Sequence, residues 1–372
     1  MKVIISGGGT GGHIFPAVSI ADAIMSLHPD AEILFVGAEG RMEMQRVPAA
    51  GYRIVGLPVR GLIRPLWSPK NIGVVCDFMR SRRRVKSVIR EFGPDVCVGV
   101  GGYASAPTLN AAHAMGIPCL IQEQNSYAGV TNRSLAHKAL RICVAYDGME
   151  RFFPADRIIK TGNPVRMSLL QPGVTKQEAR QGFGLDPEKP TLLVIGGSLG
   201  ARTVNESILS HLQAISTSGV QVVWQTGKNY YEHIISTIKA SSCAMPDSSL
   251  VIQPFISDMA KAYRAADLVI SRAGASSISE ICLLGMPSIL VPSPNVAEDH
   301  QTKNALALSS QGAAILIRDA EAGRQLVPVA LETVKDVGKL QSLSQNAAKL
   351  AFRDSALTIA KIVDQLLNHP ES

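Results

Sequence analysis

Short uninterrupted apolar runs alternate along the chain with stretches whose apolar positions recur at helical spacing. The runs predict strands at 3–6, 33–36, 96–98, 119–121 and 142–144, and again at 191–195, 220–225, 250–252, 268–271 and 288–291. Between them, segments such as 16–27, 204–211 and 277–284 carry the three-and-four spacing of helices packed on one side. Strands that are apolar throughout and separated by helices predict parallel sheets covered on both faces, an α/β architecture.

A faint repeat divides this pattern in two. Lys2-Val3-Ile4-Ile5-Ser6 runs into Gly7-Gly8-Gly9-Thr10-Gly11-Gly12, and Leu192-Leu193-Val194-Ile195 runs into Gly196-Gly197-Ser198-Leu199-Gly200-Ala201. Each is a strand, a glycine loop and a helix, so two doubly wound, Rossmann-like domains are expected. The boundary is placed at Thr161-Gly162-Asn163-Pro164. This gives an N-terminal domain over 1–163, a C-terminal domain over 164–354 and a last segment over 355–372, helical and packing back on the first domain.

Composition narrows the class. The 372 residues are 46% hydrophobic and 18% charged, which suits globular domains of ordinary size rather than a disordered chain. Glycine and proline interrupt the longest uncharged runs, so no spanning helix is expected, and the first residues read as a strand rather than a leader. None of the six cysteines stands in a C-x-x-C pair, which favours buried thiols in a reducing, cytoplasmic setting. The net charge of +7 lies in one half: residues 1–163 hold 19 Lys+Arg against 12 Asp+Glu, whereas 164–372 hold 18 of each. That half is expected to face something anionic.

The first glycine loop contains a formal G-x-G-x-x-G through Gly7, Gly9 and Gly12. A dinucleotide site also wants an acid at the end of the second strand, and that strand ends on Gly37. A nicotinamide cofactor is therefore disfavoured, and no phosphate-binding G-x-x-x-x-G-K-[ST] occurs. Glycines at a strand-to-helix turn do let main-chain N–H groups approach an anion at a helix N-terminus. A tight turn without a ligand is the plainer alternative. His13, at the mouth of the loop, is a candidate base or an ordinary structural histidine. In the second half, the run from Asp267 to Glu280 reads as strand, small-residue turn and helix start. Ser276 and Ser277 can cap that helix or bond a phosphate, and Glu280 can hold a ribose diol or serve its own helix as a cap.

Six separate motifs, in order, make the chain resemble the MurG family of glycosyltransferases. They are the segment from Gly8 to Ala17, Gly101-Gly102-Tyr103-Ala104-Ser105-Ala106-Pro107, Gln122-Glu123-Gln124-Asn125, Gly162-Asn163-Pro164-Val165-Arg166, the segment from Gly196 to Ala201, and the segment from Arg272 to Glu280. Leu199, Ser276 and His300 depart from residues common in relatives. The resemblance implies glycosyltransferase fold B with the active site between two domains. It implies transfer of N-acetylglucosamine from UDP-N-acetylglucosamine to undecaprenyl-pyrophosphoryl-muramoyl-pentapeptide, converting lipid I to lipid II in peptidoglycan synthesis. It places Arg166 and Ser198 on the diphosphate, Ile256 on the uracil, and Ala275, Ser276, Ser277, Ile278, Ser279 and Glu280 on phosphates and ribose. Gln301 is placed on sugar hydroxyls. Thr10, Gly11, Gly12 and Asn125 are placed on the donor from the other side, and Gly101, Gly102 and Tyr103 on the acceptor. No cofactor and no metal are implied, and the expected location is the cytoplasmic face of the inner membrane, alongside other cell-wall synthesis proteins.

The residues and the resemblance agree on chemistry. A diphosphate leaving group needs positive potential, which a helix N-terminus and Arg166 can supply in place of a metal held by D-x-D, a sequence absent here. His13 is the first choice of base, with a carboxylate as base or a donor-orienting role for His13 as the alternatives, and direct displacement inverts the anomeric centre. A sugar-nucleotide 2-epimerase or a glycolipid galactosyltransferase would share the donor half but not the acceptor loops. A basic nucleic-acid-binding protein would explain the charge but not two glycine loops. For the membrane face, the candidate is 61–67 with a helix over 71–90. There Ile72, Val75, Phe78, Met79 and Val85 share an apolar flank beside Arg80, Arg82, Arg83, Arg84 and Lys86. A core-facing helix with a solvated basic face is the alternative.

Overall fold

Strands rich in β-branched residues, with no polar face, can be buried only if both sides of their sheet are covered. The computed structural model describes residues 1–61, 71–170, 173–197, 199–241, 249–296 and 299–368, and in it the ladders are all parallel. The first sheet contains β1 (Lys2–Ser6), β2 (Glu32–Ala38), β3 (Arg53–Leu57), β4 (Val96–Gly99), β5 (Cys119–Glu123), β6 (Arg141–Val144) and β7 (Ile158–Lys160), in the order β3-β2-β1-β4-β5-β6-β7. The second contains β8 (Thr191–Ile195), β9 (Gln221–Gln225), β10 (Leu250–Gln253), β11 (Leu268–Ser271), β12 (Ser288–Leu290) and β13 (Ile315–Leu316), in the order β10-β9-β8-β11-β12-β13. In register, Val3 lies beside Ile33 and Val96, and Leu193 beside Val223 and Val269.

Side chains alternate across each strand, so each sheet feeds two apolar layers. On one side of the first sheet Ile4, Leu34, Cys97, Ile121 and Ile142 pack with Val85 and Ile89 of the Asn71–Phe92 helix. On the other, Val3, Ile5, Phe35 and Val98 pack with Ile14, Ile20 and Ile24 of the Gly11–Leu27 helix and with Ile359, Val363 and Leu366 of the Ser355–Asn368 helix. Each such side chain, fully buried, contributes roughly 1.5–3 kcal/mol. The second sheet builds its own core from Leu192, Val194, Val222, Trp224, Leu268, Ile270 and Ile289.

The chain divides into two compact units, one containing Met1–Arg166 and the C-terminal segment that begins at Phe352, the other Met167–Ala351. The division after Arg166 falls three residues beyond the expected boundary and leaves the whole Gly162–Arg166 motif in the first unit.

Three strands escape the pattern of apolar runs. β3 and β7 are the edges of the first sheet and β13 is an edge of the second. An edge strand is covered less, so polar residues enter it, as Arg53 and Lys160 do, and β13 is only two residues long. The first helix begins at Gly11 instead of residue 16, because the last two glycines of the loop, Gly11 and Gly12, already open its first turn. The supposed apolar flank of the basic helix also needs correction. Val85 is fully buried with Val74 and Ile89, so it belongs to the core, whereas Met79 is exposed. Residues 62–67 and the side chains of Ile72 and Val75 lie outside the described residues.

Candidate active site

In an open parallel sheet, ligands settle beyond the carboxyl ends of the strands where the strand order reverses, since the connecting loops there part in opposite directions. In the first unit that point lies between β1 and β4, which lead into Gly7–Gly12 and Gly101–Tyr103. In the second unit it lies between β8 and β11, which lead into the second glycine loop and the start of the Ala275–Leu284 helix. Topology thus selects the same four loops as the sequence motifs.

The two loops of the first unit interlock. Gly102 has φ +85°, and a Cβ there would stand 2.3 Å from the Gly8 carbonyl oxygen, so no larger residue fits. The Ser105 hydroxyl donates to the Ser6 carbonyl at 2.6 Å and ties the β4 side to the end of β1. The Gly11–Leu27 helix has no side-chain cap and no acid in its first turn. Its leading amides therefore remain available to an anion. Pro16 lacks an N–H, so the carbonyl of Gly12 receives no bond from that position.

His13 sits in this first turn, partly buried. Its Nδ1 lies 3.1 Å from the Gly8 carbonyl oxygen and 3.3 Å from the Thr10 hydroxyl. A carbonyl can only accept, so Nδ1 carries the proton and Nε2 holds the lone pair in the neutral ring. Gly101 packs against that edge, where a Cβ would be 3.1 Å from Nε2. Beneath the loop lies a group the sequence did not single out. The Glu43 carboxylate is 1% exposed and accepts from Gly9 N–H at 2.9 Å and Ala38 N–H at 3.0 Å. An acid just after a strand forms no motif by itself, and only the folded loop brings it under Gly9.

Two quoted motifs brace each other. Gln122 donates to Asn163 Oδ1 at 3.0 Å, Asn163 donates to the Gln124 carbonyl at 3.0 Å, and Gln124 donates to the Val100 carbonyl at 2.8 Å. Glu123, also 1% exposed, accepts from Asn125 N–H at 3.0 Å and Asn125 Nδ2 at 3.3 Å, and from Gly129 N–H and Asn132 Nδ2 on its other oxygen. Asn125 is thereby held at the end of β5. Arg166 lies on the same unit, its guanidinium 4.7 Å from the centroid of the Phe15 ring. Tyr103 is half exposed, and its ring crowds Gly61.

In the second unit, Ser198 lies outside the described residues. Its neighbour Gly197 accepts from Gln225 Nε2 at 3.0 Å, and Gln225 Oε1 accepts from Ile256 N–H at 2.8 Å. This buried glutamine joins the glycine loop to Ile256. With the Ile256 side chain 1% exposed and its N–H occupied, contact with a base would fall to its carbonyl. The Ala275–Leu284 helix opens at Gly274 with no side-chain cap. Glu280 is its sixth residue, too far along to cap it, and accepts from the Tyr263 hydroxyl at 3.0 Å. The Ser276 hydroxyl is buried without a hydrogen-bond partner among the described residues. Ser279 returns its hydroxyl to the Ala275 carbonyl, and Ile278 is buried, with its N–H given to Gly274. Ser277 stands in the open first turn. Gln301 accepts from Ser293 N–H at 2.9 Å through Oε1, which turns its NH₂ to serve as the donor.

The glycosyltransferase family 28 N-terminal domain matches residues 3–144, and the family's C-terminal domain matches residues 191–359. A UDP-N-acetylglucosamine--N-acetylmuramyl-(pentapeptide) pyrophosphoryl-undecaprenol N-acetylglucosamine transferase of Bacteroides fragilis is 62% identical over 368 residues, covering 98% of this chain and 96% of the relative. Among solved structures, Acinetobacter baumannii MurG superposes with a TM-score of 0.72 at 26% identity over 98% of this chain and 99% of that one. A putative UDP-N-acetylglucosamine 2-epimerase from Listeria monocytogenes reaches a TM-score of 0.71 at 13% identity, over 100% of this chain and 97% of its own, and shares the fold alone. With both domain matches in order and that identity over nearly its whole length, the chain belongs to glycosyltransferase family 28, among the N-acetylglucosamine transferases of the MurG family.

Proposed function

We propose that the chain transfers N-acetylglucosamine from UDP-N-acetylglucosamine to undecaprenyl-pyrophosphoryl-muramoyl-pentapeptide, the lipid I to lipid II step of peptidoglycan synthesis. The observation that carries this is the 62% identity to a transferase named for that reaction, over almost the full length of both chains. The acceptor hydroxyl oxygen attacks the anomeric carbon, the bond from that carbon to the diphosphate breaks, and UDP leaves with the electron pair. The acceptor proton goes to Nε2 of His13, the nitrogen left unprotonated by the bond from Nδ1 to Gly8. Attack opposite the leaving group turns an α donor into a β product.

Charge developing on the diphosphate is met by Arg166, Ser198 and the open amides of the Ala275–Leu284 helix. Thr10, Gly11, Gly12 and Asn125 bear on the donor from the first unit, where Gly101, Gly102 and Tyr103 receive the acceptor. Glu280 takes the ribose hydroxyls, Ile256 the uracil, and Gln301 the hydroxyls of the sugar. No cofactor and no divalent ion take part. Among the described residues no helix is long and apolar enough to cross a membrane. The lipid-linked acceptor is reached by docking on the anionic inner face of the membrane, through the exposed Arg80, Arg82 and Arg83 and the exposed Met79.

Incubation with labelled UDP-N-acetylglucosamine and a lipid-linked muramoyl-pentapeptide tests the assignment. Label passing into the lipid phase is expected. Hydrolysis or epimerisation of the donor without transfer would overturn it.

A further inference from the structure

The carbonyl of Gly8 and the N–H of Gly9 belong to one peptide group. A trans peptide points these two dipoles in opposite directions, and here each end meets a side chain. Gly9 N–H donates to Glu43 Oε2 at 2.9 Å, and the Gly8 carbonyl faces His13 Nδ1 at 3.1 Å. We infer that Glu43 is a positioning residue for the transfer reaction, setting the tautomer and basicity of His13 through the Gly8–Gly9 peptide. This rests on the reading of His13 as the base.

Three features make the arrangement specific. First, the Glu43 carboxylate accepts from two main-chain N–H donors, Gly9 and Ala38, one on each oxygen. Second, the glycines around it are the ones that admit its side chain. A Cβ on Gly8 would lie 2.2 Å from Glu43 Oε1, and one on Gly37 would lie 2.7 Å from its Cγ. Gly37, which stands where a dinucleotide-binding fold would carry an acid, here leaves room for Glu43. Third, negative charge at the N–H end of a peptide increases the electron density at its carbonyl, as in any polarised chain of hydrogen bonds. A more negative Gly8 oxygen holds Nδ1–H more firmly, leaves the lone pair on Nε2 and favours the protonated ring once it has accepted the acceptor's proton. Beyond Gly101, which packs against the ring, Asn132 donates to Glu123 Oε2; Tyr103 follows Gly101 by two residues, and Arg166 lies over Phe15, two residues after His13. None of these hydrogen bonds engages the Gly8–Gly9 peptide.

The direct readout is NMR of full-length protein with ¹⁵N-labelled histidine, comparing wild type with Glu43→Gln and Glu43→Asp and using His13→Ala to identify the signal. In the wild type, neutral His13 should carry its proton on Nδ1. A carboxamide facing two N–H donors must turn its own NH₂ toward one of them. Glu43→Gln should therefore weaken the Nδ1–H preference and move the His13 titration to lower pH. The same shift should appear in the acidic limb of the kcat profile, with kcat down roughly ten- to a hundredfold and the donor KM within about twofold. Glu43→Asp should recover part of both effects. A wild-type ring protonated on Nε2 would overturn the inference even if the variants failed to fold. So would an unchanged tautomer and titration in folded Glu43→Gln. If His13→Ala retained full turnover while Glu43→Gln still shifted the tautomer, the coupling would stand and the assignment of the base would fall.

Discussion

The hydroxyl of Tyr263 donates to Glu280 Oε2 across 3.0 Å, and both side chains are buried. This bond fixes one oxygen of the carboxylate at the sixth position of its helix and turns the group away from any capping role. If Glu280 receives the ribose diol, Glu280→Ala should weaken UDP binding by about ten- to a hundredfold, the loss of a hydrogen bond to a charged group costing about 1.5–3 kcal/mol. Binding of 2′,3′-dideoxy-UDP should barely change. Tyr263→Phe should produce a smaller loss of the same kind. Calorimetry with the two nucleotides separates these outcomes, and equal losses for both would remove Glu280 from the ribose.

Arg166 is expected on the diphosphate, and the structure stacks it over Phe15 on the unit that carries the first glycine loop. Arg166→Lys keeps the charge but loses the planar fork and the stacking, so it should fail to restore affinity. Arg166→Ala should weaken UDP and UDP-N-acetylglucosamine alike by about ten- to a hundredfold. Phe15→Leu should cost a few-fold, through misplacement of the guanidinium. Normal UDP binding by Arg166→Ala would show that the diphosphate lies elsewhere.

His13→Ala should reduce kcat by about a hundredfold while leaving the dissociation constant of UDP nearly intact, the behaviour of a proton acceptor rather than a binding group. Initial rates with the lipid-linked acceptor, set beside UDP titrations, make the comparison. A change confined to the donor KM would assign His13 to binding. The same assay in excess EDTA should retain its rate, and complete loss would contradict transfer without a divalent ion.

The central strands and the glycine loops were legible in the sequence because burial on both faces leaves unbroken apolar runs, and close backbone approach leaves glycine. β3, β7 and β13 were not, because sheet edges accept polar residues and short lengths. The site divides in the same way. His13 and Glu280, as proposed site residues, stand at strand-to-helix turns that the sequence pattern marks, and Asn125 stands in a motif that only the family resemblance singles out. Glu43 and Gln225 act through main-chain groups brought close only by folding, and a lone acid after β2 or a glutamine at the end of β9 carries no local pattern. Val85 misled because helical spacing reports a shared flank but not what covers it.

The buried cysteines give a chemical test of the two cores. Burial pushes the thiols of Cys119, Cys143 and Cys282 up to about 12, and that of Cys97 well above its ordinary value. Cys76 is exposed on the basic helix. A maleimide at neutral pH should label Cys76 rapidly and these four only on unfolding, as peptide mapping would show. Thiols held neutral by the fold stabilise it fully below their unfolded pKa, about 8.5. That contribution declines as pH rises from there toward 12. Thermal melts should therefore fall on the alkaline side above about pH 9. Rapid native labelling of Cys97 or Cys143 would contradict the packing of the first sheet.

The basic helix supplies the last test, and its geometry refines which residues to change. Val74, Val85 and Ile89 face the core, so the helix is anchored to the sheet by one side and presents the other. On the presented side Arg84 is paired with Glu39 at 2.6 Å, and Arg80 lies 3.9 Å from Asp77, which also receives Arg60. Arg82 and Arg83 are exposed and close to the exposed Met79. Basic side chains near an anionic surface contribute about 1 kcal/mol each and less as salt rises, while an inserted apolar side chain adds a part that salt does not screen. Arg82→Glu with Arg83→Glu reverses two charges, so it should release the protein from vesicles containing anionic lipid at physiological salt. Adding Arg84→Glu should deepen the loss and also break the pair with Glu39. Met79→Ser should weaken binding at high salt as well as low. UDP affinity should be unchanged throughout, whereas transfer to a long-chain lipid acceptor should slow in parallel with vesicle binding. Sedimentation with anionic and neutral vesicles reads the effect directly, and a double variant that still sediments with anionic vesicles would place the membrane face elsewhere on the molecule.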